Sequence, residues 1–68
     1  MKKFENTETA LAYLGADAFP NDQIDVELET GETGFTSGCY GLKRGDTITL
    51  QKHGSIDFIS GIVKNIIA

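Results

Sequence analysis

The stretch Gly45–Ala68, GDTITLQKHGSIDFISGIVKNIIA, constrains the fold more than any other part of the chain. It is the one long run in which β-branched and apolar residues dominate. Ile48 and Leu50 alternate with Thr47, Thr49 and Gln51, the period-two pattern of a half-buried strand. His53-Gly54 supplies a turn, and Ile56 and Phe58 alternate with Ser55 and Asp57 on a return strand. A hairpin is therefore expected, and everything earlier must pack on it or pair with it. The end of the run is ambiguous by spacing. Ile59, Ile62, Val63, Ile66 and Ile67 fall at helical intervals, yet all five are β-branched and Gly61 would sit in the first turn. β propensity favours a strand over 62–67, kinked at Gly61, with both faces largely covered.

A chain of 68 residues makes a single domain over 1–68. At that length only about 60% of the unfolded surface is buried, and a core rarely supplies more than about 3–5 kcal/mol. One cysteine permits no internal disulfide, and one cysteine with one histidine is a poor metal set. Stability must come from packing, from a partner or from self-association.

Upstream, Asn6 or Thr7 can cap a short helix over 6–14, with Glu8 in its first turn and Gly15 ending it. Leu11 and Leu14 must dock this helix, because two turns are unstable alone. Ala16–Asp22 is a connector holding Phe19 as a core plug, and Pro20, which has no donor, biases Phe19 away from helix. Gln23–Glu29 is a strand: Ile24, Val26 and Leu28 face one way, Asp25, Glu27 and Glu29 the other. Thr30–Gly34 reads as a turn, Phe35–Tyr40 as a second strand weakened at Gly38, and Leu42–Asp46 as a tight turn. The expected class is α+β. One short N-terminal helix packs on a small, strongly bent antiparallel sheet of four to five strands, or on a partly open barrel of SH3-like or OB-like kind.

Charge is distributed unevenly. Residues 1–34 carry two lysines against eight carboxylates, whereas residues 35–68 carry four cations against two carboxylates, for a net charge of −4. Such a field repels nucleic acid and attracts basic surfaces. No stretch approaches the length of a membrane span, and Met1-Lys2-Lys3 leads into no apolar run. The free Cys39 fits a reducing compartment, so a cytoplasmic protein without membrane contact is expected.

Chemical motifs are sparse. No glycine is followed by lysine, which excludes a phosphate loop, and no G-x-G-x-x-G is present. Arg44-Gly45-Asp46 reads as a turn before a strand, His53 as turn filler without neighbours to orient it, and Cys39 as a small buried residue. No acid–base–nucleophile set is visible, so no enzyme and no cofactor is expected. Asp22, Asp25, Glu27, Glu29 and Glu32 invite a metal reading, but alternate side chains on a flat strand stand roughly 6.5–7 Å apart, too wide for three to share an ion.

That spacing suits another role. A row of carboxylates can imitate a phosphate track and compete for the Lys/Arg surface of a nucleic-acid-binding protein, the logic of small acidic inhibitors encoded by phages and mobile elements. The first expectation is therefore a non-enzymatic interaction module, with an inhibitor as its natural role, that engages a basic protein partner through Asp22, Asp25, Glu27, Glu29 and Glu32. An alternative is a nucleic-acid-binding barrel using Lys43, Arg44, Lys52 and Lys64 with Phe35 and Tyr40 as stacking platforms. A third is a homo-oligomeric subunit, a homodimer in the simplest case, joined through Ile59–Ile67 with Ile66 and Ile67 at the contact.

Overall fold

A computed structural model describes residues 2–68. The chain runs β1 (Lys3–Phe4), α1 (Thr7–Leu14), two single 3-10 turns (Gly15–Asp17 and Pro20–Asp22), β2 (Gln23–Leu28), β3 (Thr33–Ser37), β4 (Thr47–Gln51) and β5 (Phe58–Ile67). It is an α+β domain with one short helix and one five-stranded sheet, in which every pairing is antiparallel. The strand order is β1-β5-β2-β3-β4, and β4 also pairs with β5, so β2, β3, β4 and β5 form a ring. The ring is uneven. β4 and β5 pair from Thr47↔Ile62 to Gln51↔Phe58, whereas β3 meets β4 only at Phe35↔Gln51.

The expected caps are present. The Asn6 side chain accepts the Thr9 N–H at 2.7 Å, and Gly15, at φ +68°, returns its N–H to Leu11. Leu11 and Leu14 pack against the core, and Phe19 is buried beneath the connector. Ile24, Val26 and Leu28 of β2 are fully buried with Leu50, Val63 and Ile66. β1 escapes sequence reading because two residues carry no periodicity; it is fixed by pairing with β5 at Lys3↔Ile67 and Phe4↔Ile66.

Residues 59–67 are strand, as β propensity suggests, within one continuous β5. The irregularity lies at Lys64 rather than Gly61, between the pairs Glu27↔Asn65 and Leu28↔Val63. Gly61 instead admits the Leu28 side chain, whose Cδ1 would stand 3.0 Å from an added Cβ. Ile62 stays exposed, so both faces are not covered. Ile66 is wholly buried and cannot form a dimer contact.

The hairpin differs as well. Lys52 N–H donates to Asp57 C=O, which makes the β4–β5 connection two residues longer than a His53-Gly54 turn. Cross-strand partners share a face. Leu50 points inward, so Ile59 opposite it does too, and Phe58 beside Ile59 turns outward at 68% exposure. Ile56 lies in the loop and is 86% exposed. The second strand begins two residues earlier than expected and ends at Ser37, so Gly34 is a strand residue and Tyr40 is not. Cys39 follows β3 in a loop and is exposed rather than buried. No helix among the described residues is long and apolar enough to cross a membrane.

Gly34 is required where β3 crosses β4: a Cβ there would lie 2.7 Å from the Gln51 carbonyl oxygen and 2.8 Å from Leu50 Cβ. Gly34→Ala should cost about 1–3 kcal/mol by overpacking, read as a lower urea midpoint. Val26→Asp should unfold the domain outright, since it places an unpaired carboxylate at a fully buried site; a cooperative melt for that variant would contradict the β2 register.

Candidate interaction surface

The acidic strand occupies the interior of the sheet, bonded to β5 on one side and β3 on the other. Its carboxylates therefore do not protect a sheet edge. Alternation sends Asp25 and Glu27 to the outer surface, opposite Ile67 and Asn65 on β5. Asp22 precedes the strand, and Glu29 and Glu32 occupy the turn after it, all three exposed.

The two central carboxylates are engaged within the chain. Asp25 Oδ1 lies 3.0 Å from His53 Nε2 and 3.4 Å from the Gln23 amide nitrogen. The imidazole also packs on the Phe35 ring, with centroids 4.9 Å apart. His53 is thus oriented, contrary to the sequence expectation. Its orienting residues come from β2 and β3, which local sequence around a turn does not reveal. An Asp–His pair can polarise a nucleophile, but no serine, threonine or cysteine side chain bonds to His53 among the described residues.

Glu27 is the most enclosed carboxylate of the strand, its side chain 14% exposed. It accepts from the Asn65 side-chain amide at 3.0 Å and pairs with Lys3 Nζ at 3.2 Å. These contacts, the Asn65 amide first, hold its carboxyl below the ordinary value of 4.5. Asn65 is itself buried and accepts from Arg44 Nη2 at 2.8 Å. Arg44 Nε donates to the Lys64 carbonyl at 2.7 Å. Lys3, Glu27, Asn65 and Arg44 form one continuous polar chain across β1, β2, β5 and the turn before β4. Sequence reading missed Lys3 and Asn65, whose roles depend on long-range pairing.

The remaining candidates are dispersed. Lys43 Nζ pairs with Asp46 at 2.9 Å, and that side chain, followed by the Lys43 backbone N–H, lowers the Asp46 pKa. The Tyr40 hydroxyl donates to Asp22, which raises the tyrosine pKa above its ordinary 10.0. Phe35 is half-buried beneath His53. Lys52 and Lys64 are exposed and make no ion pair among the described residues. No three His, Cys, Asp or Glu side chains among the described residues gather to hold a metal ion.

Three of the ten carboxylates face a cationic or imidazole partner: Asp25, Glu27 and Asp46. The other seven, Glu5, Glu8, Asp17, Asp22, Glu29, Glu32 and Asp57, have none among the described residues. Of these seven, Asp22, Glu29 and Glu32 flank β2, whose middle is tied to the fold, and the other four lie elsewhere along the chain. No protein-family model, curated protein or solved structure matches the chain.

The Glu27 contacts predict an acid-side dependence. A carboxyl with a depressed folded pKa stabilises the fold above its unfolded value and loses that contribution as pH falls through the folded pKa. Stability should therefore decline below about pH 4.5. Glu27→Gln should melt earlier than wild type at neutral pH and show a shallower decline on acidification, measured by thermal melts across pH 3–7 (a range of roughly four units around the usual carboxylate values).

Proposed function

We propose that this is a small acidic, non-enzymatic interaction module of the cytoplasm that binds a basic surface on a protein partner. It would act as an inhibitor of the phage or mobile-element kind, occupying lysines and arginines that otherwise hold nucleic acid. The observation that carries the proposal is the set of seven carboxylates without a cationic partner among the described residues, against a fold that already engages Lys3, Lys43 and Arg44 internally. Unpaired surface charge of one sign produces a long-range field that speeds encounter with an oppositely charged partner. The contact would centre on Asp22, Glu29 and Glu32, with Asp25 and Glu27 contributing field from the strand between them. We read the uneven ring that displays them as a partly open small barrel of SH3-like or OB-like kind.

The nucleic-acid alternative receives less support. Its cations are partly occupied: Lys43 by Asp46, Arg44 by Asn65 and the Lys64 carbonyl. Its aromatic platforms are occupied too, Phe35 by His53 and Tyr40 by Asp22.

The test is capture from native-host lysate treated with nuclease. The captured partner should carry a basic surface, and its binding should weaken as salt rises, since exposed charges are screened beyond roughly 10 Å at 0.1 M. The triple variant Asp22→Asn, Glu29→Gln, Glu32→Gln should keep the wild-type melt and lose about tenfold in affinity at low salt. Capture that depends on nucleic acid, or equal affinity of the variant, would sink the proposal.

A further inference from the structure

The ring has an opening between β3 and β4. Antiparallel ladders alternate, each residue directing its N–H and C=O to one neighbour only. In the β4–β5 ladder the phase is set by Val63 N–H donating to Asp46 C=O at 2.8 Å and Lys52 N–H donating to Asp57 C=O at 2.9 Å. Ile48 and Leu50 therefore bond to β5, while Thr47, Thr49 and Gln51 direct their backbone groups away from it. Only Gln51 meets a partner there, Phe35 of β3. Past that pair β3 and β4 part, and the chain between them loops away over 38–46. Thr47 and Thr49 are left with unpaired backbone donors and acceptors among the described residues, and both are exposed.

Open strand edges are normally guarded by lysine, proline, a bulge or an inward charge. The sequence Thr47-Ile48-Thr49-Leu50-Gln51 has none of these, and its pairing with β5 is regular throughout. We propose that this edge binds the same edge of a second copy, antiparallel about a two-fold axis at Ile48. Thr47 of one copy then lies opposite Thr49 of the other, and the reverse. This register uses the unpaired groups and leaves the Gln51–Phe35 pair intact.

Charge favours a second copy at this place. Copies of a chain with net charge −4 repel one another over most of their surface. Thr47–Gln51 carries no charged side chain; the balanced Lys43–Asp46 pair lies before it and the single cation Lys52 after it. In a ring ordered β2-β3-β4-β5, β4 is the one member that does not neighbour β2. The carboxylates of β2 therefore face away from the paired edges. The association stands independently of the proposed basic partner and leaves the acidic side free.

Sedimentation and amide hydrogen exchange at increasing protein concentration test this directly. The wild type should move from single-chain mass at low micromolar concentration toward twice that mass near about 1 mM. The Thr47 and Thr49 amides should become protected over the same range, while the Ile48 and Leu50 amides, bonded to β5, are protected throughout. Thr49→Lys should stay folded and monomeric. Thr49→Pro should do the same, since it removes only an outward N–H; if either variant misfolds, the wild-type exchange pattern still decides. A wild type that stays monomeric with Thr47 and Thr49 exchanging freely overturns the proposal. So does a dimer that survives Thr49→Lys with those amides unprotected, or protection that arises in a monomer only when an extended peptide is added.

Discussion

β5 must pair with β1 and β2 along its C-terminal half and with β4 along its N-terminal half, and no flat strand can serve both. The chain meets this demand with an irregularity at Lys64, where one extra residue enters between the pairs to Glu27 and Leu28. Such an insertion sharpens the local twist and leaves the extra residue without a ladder partner. Arg44 supplies that partner by donating to the Lys64 carbonyl, and Gly45 and Asp46 exchange hydrogen bonds with Val63 just before it. The tripeptide Arg44-Gly45-Asp46 is thus a clamp on the bend of β5. The ring, the buried face of β2 and the placement of the carboxylates all follow from that bend.

The same clamp explains why the charges divide as they do. Arg44 holds Asn65, Asn65 holds Glu27, and Lys3 closes the chain from β1. A buried amide and a half-buried carboxylate are acceptable here because each polar atom has a partner; no buried side-chain nitrogen or oxygen is left unsatisfied among the described residues. The pair Lys3–Glu27 cancels locally, as does Lys43–Asp46, so the net charge of −4 is carried by carboxylates that have no such partner among the described residues.

Element types were legible in the sequence because they rest on local chemistry: Asn6 caps a helix, Gly15 ends it, and Ile24, Val26 and Leu28 alternate with acids. Loop length and strand phase were not. Whether Phe58 or Ile59 faces inward depends on how many residues separate Lys52 from its partner, and turn chemistry at His53-Gly54 is compatible with more than one answer. Glycines were legible as punctuation but not by purpose: Gly34 and Gly61 permit close packing against Leu50 and Leu28, neighbours distant in the chain. At the candidate surface, the five acidic positions could be read from sequence. The partners that distinguish tied carboxylates from free ones, His53, Lys3 and Asn65, could not, because all arrive from segments distant in the chain.

A ring of four strands has few sides, so different demands must fall on different strands. β2 is paired on both sides and can display side chains only outward, which suits recognition by charge. β4 is paired fully on one side and displays backbone on the other, which suits recognition by hydrogen bonding. Charge on β4 would protect its edge at no cost to the core, since Thr47 and Thr49 point outward and are exposed. Stability of the single chain therefore does not account for an uncharged edge. Nor does the geometry of β4 require threonine there, because any β-compatible residue would suit an outward position. What a neutral, unguarded edge does permit is close approach of another strand, and that separates the backbone-pairing side of the ring from the side that carries the acids.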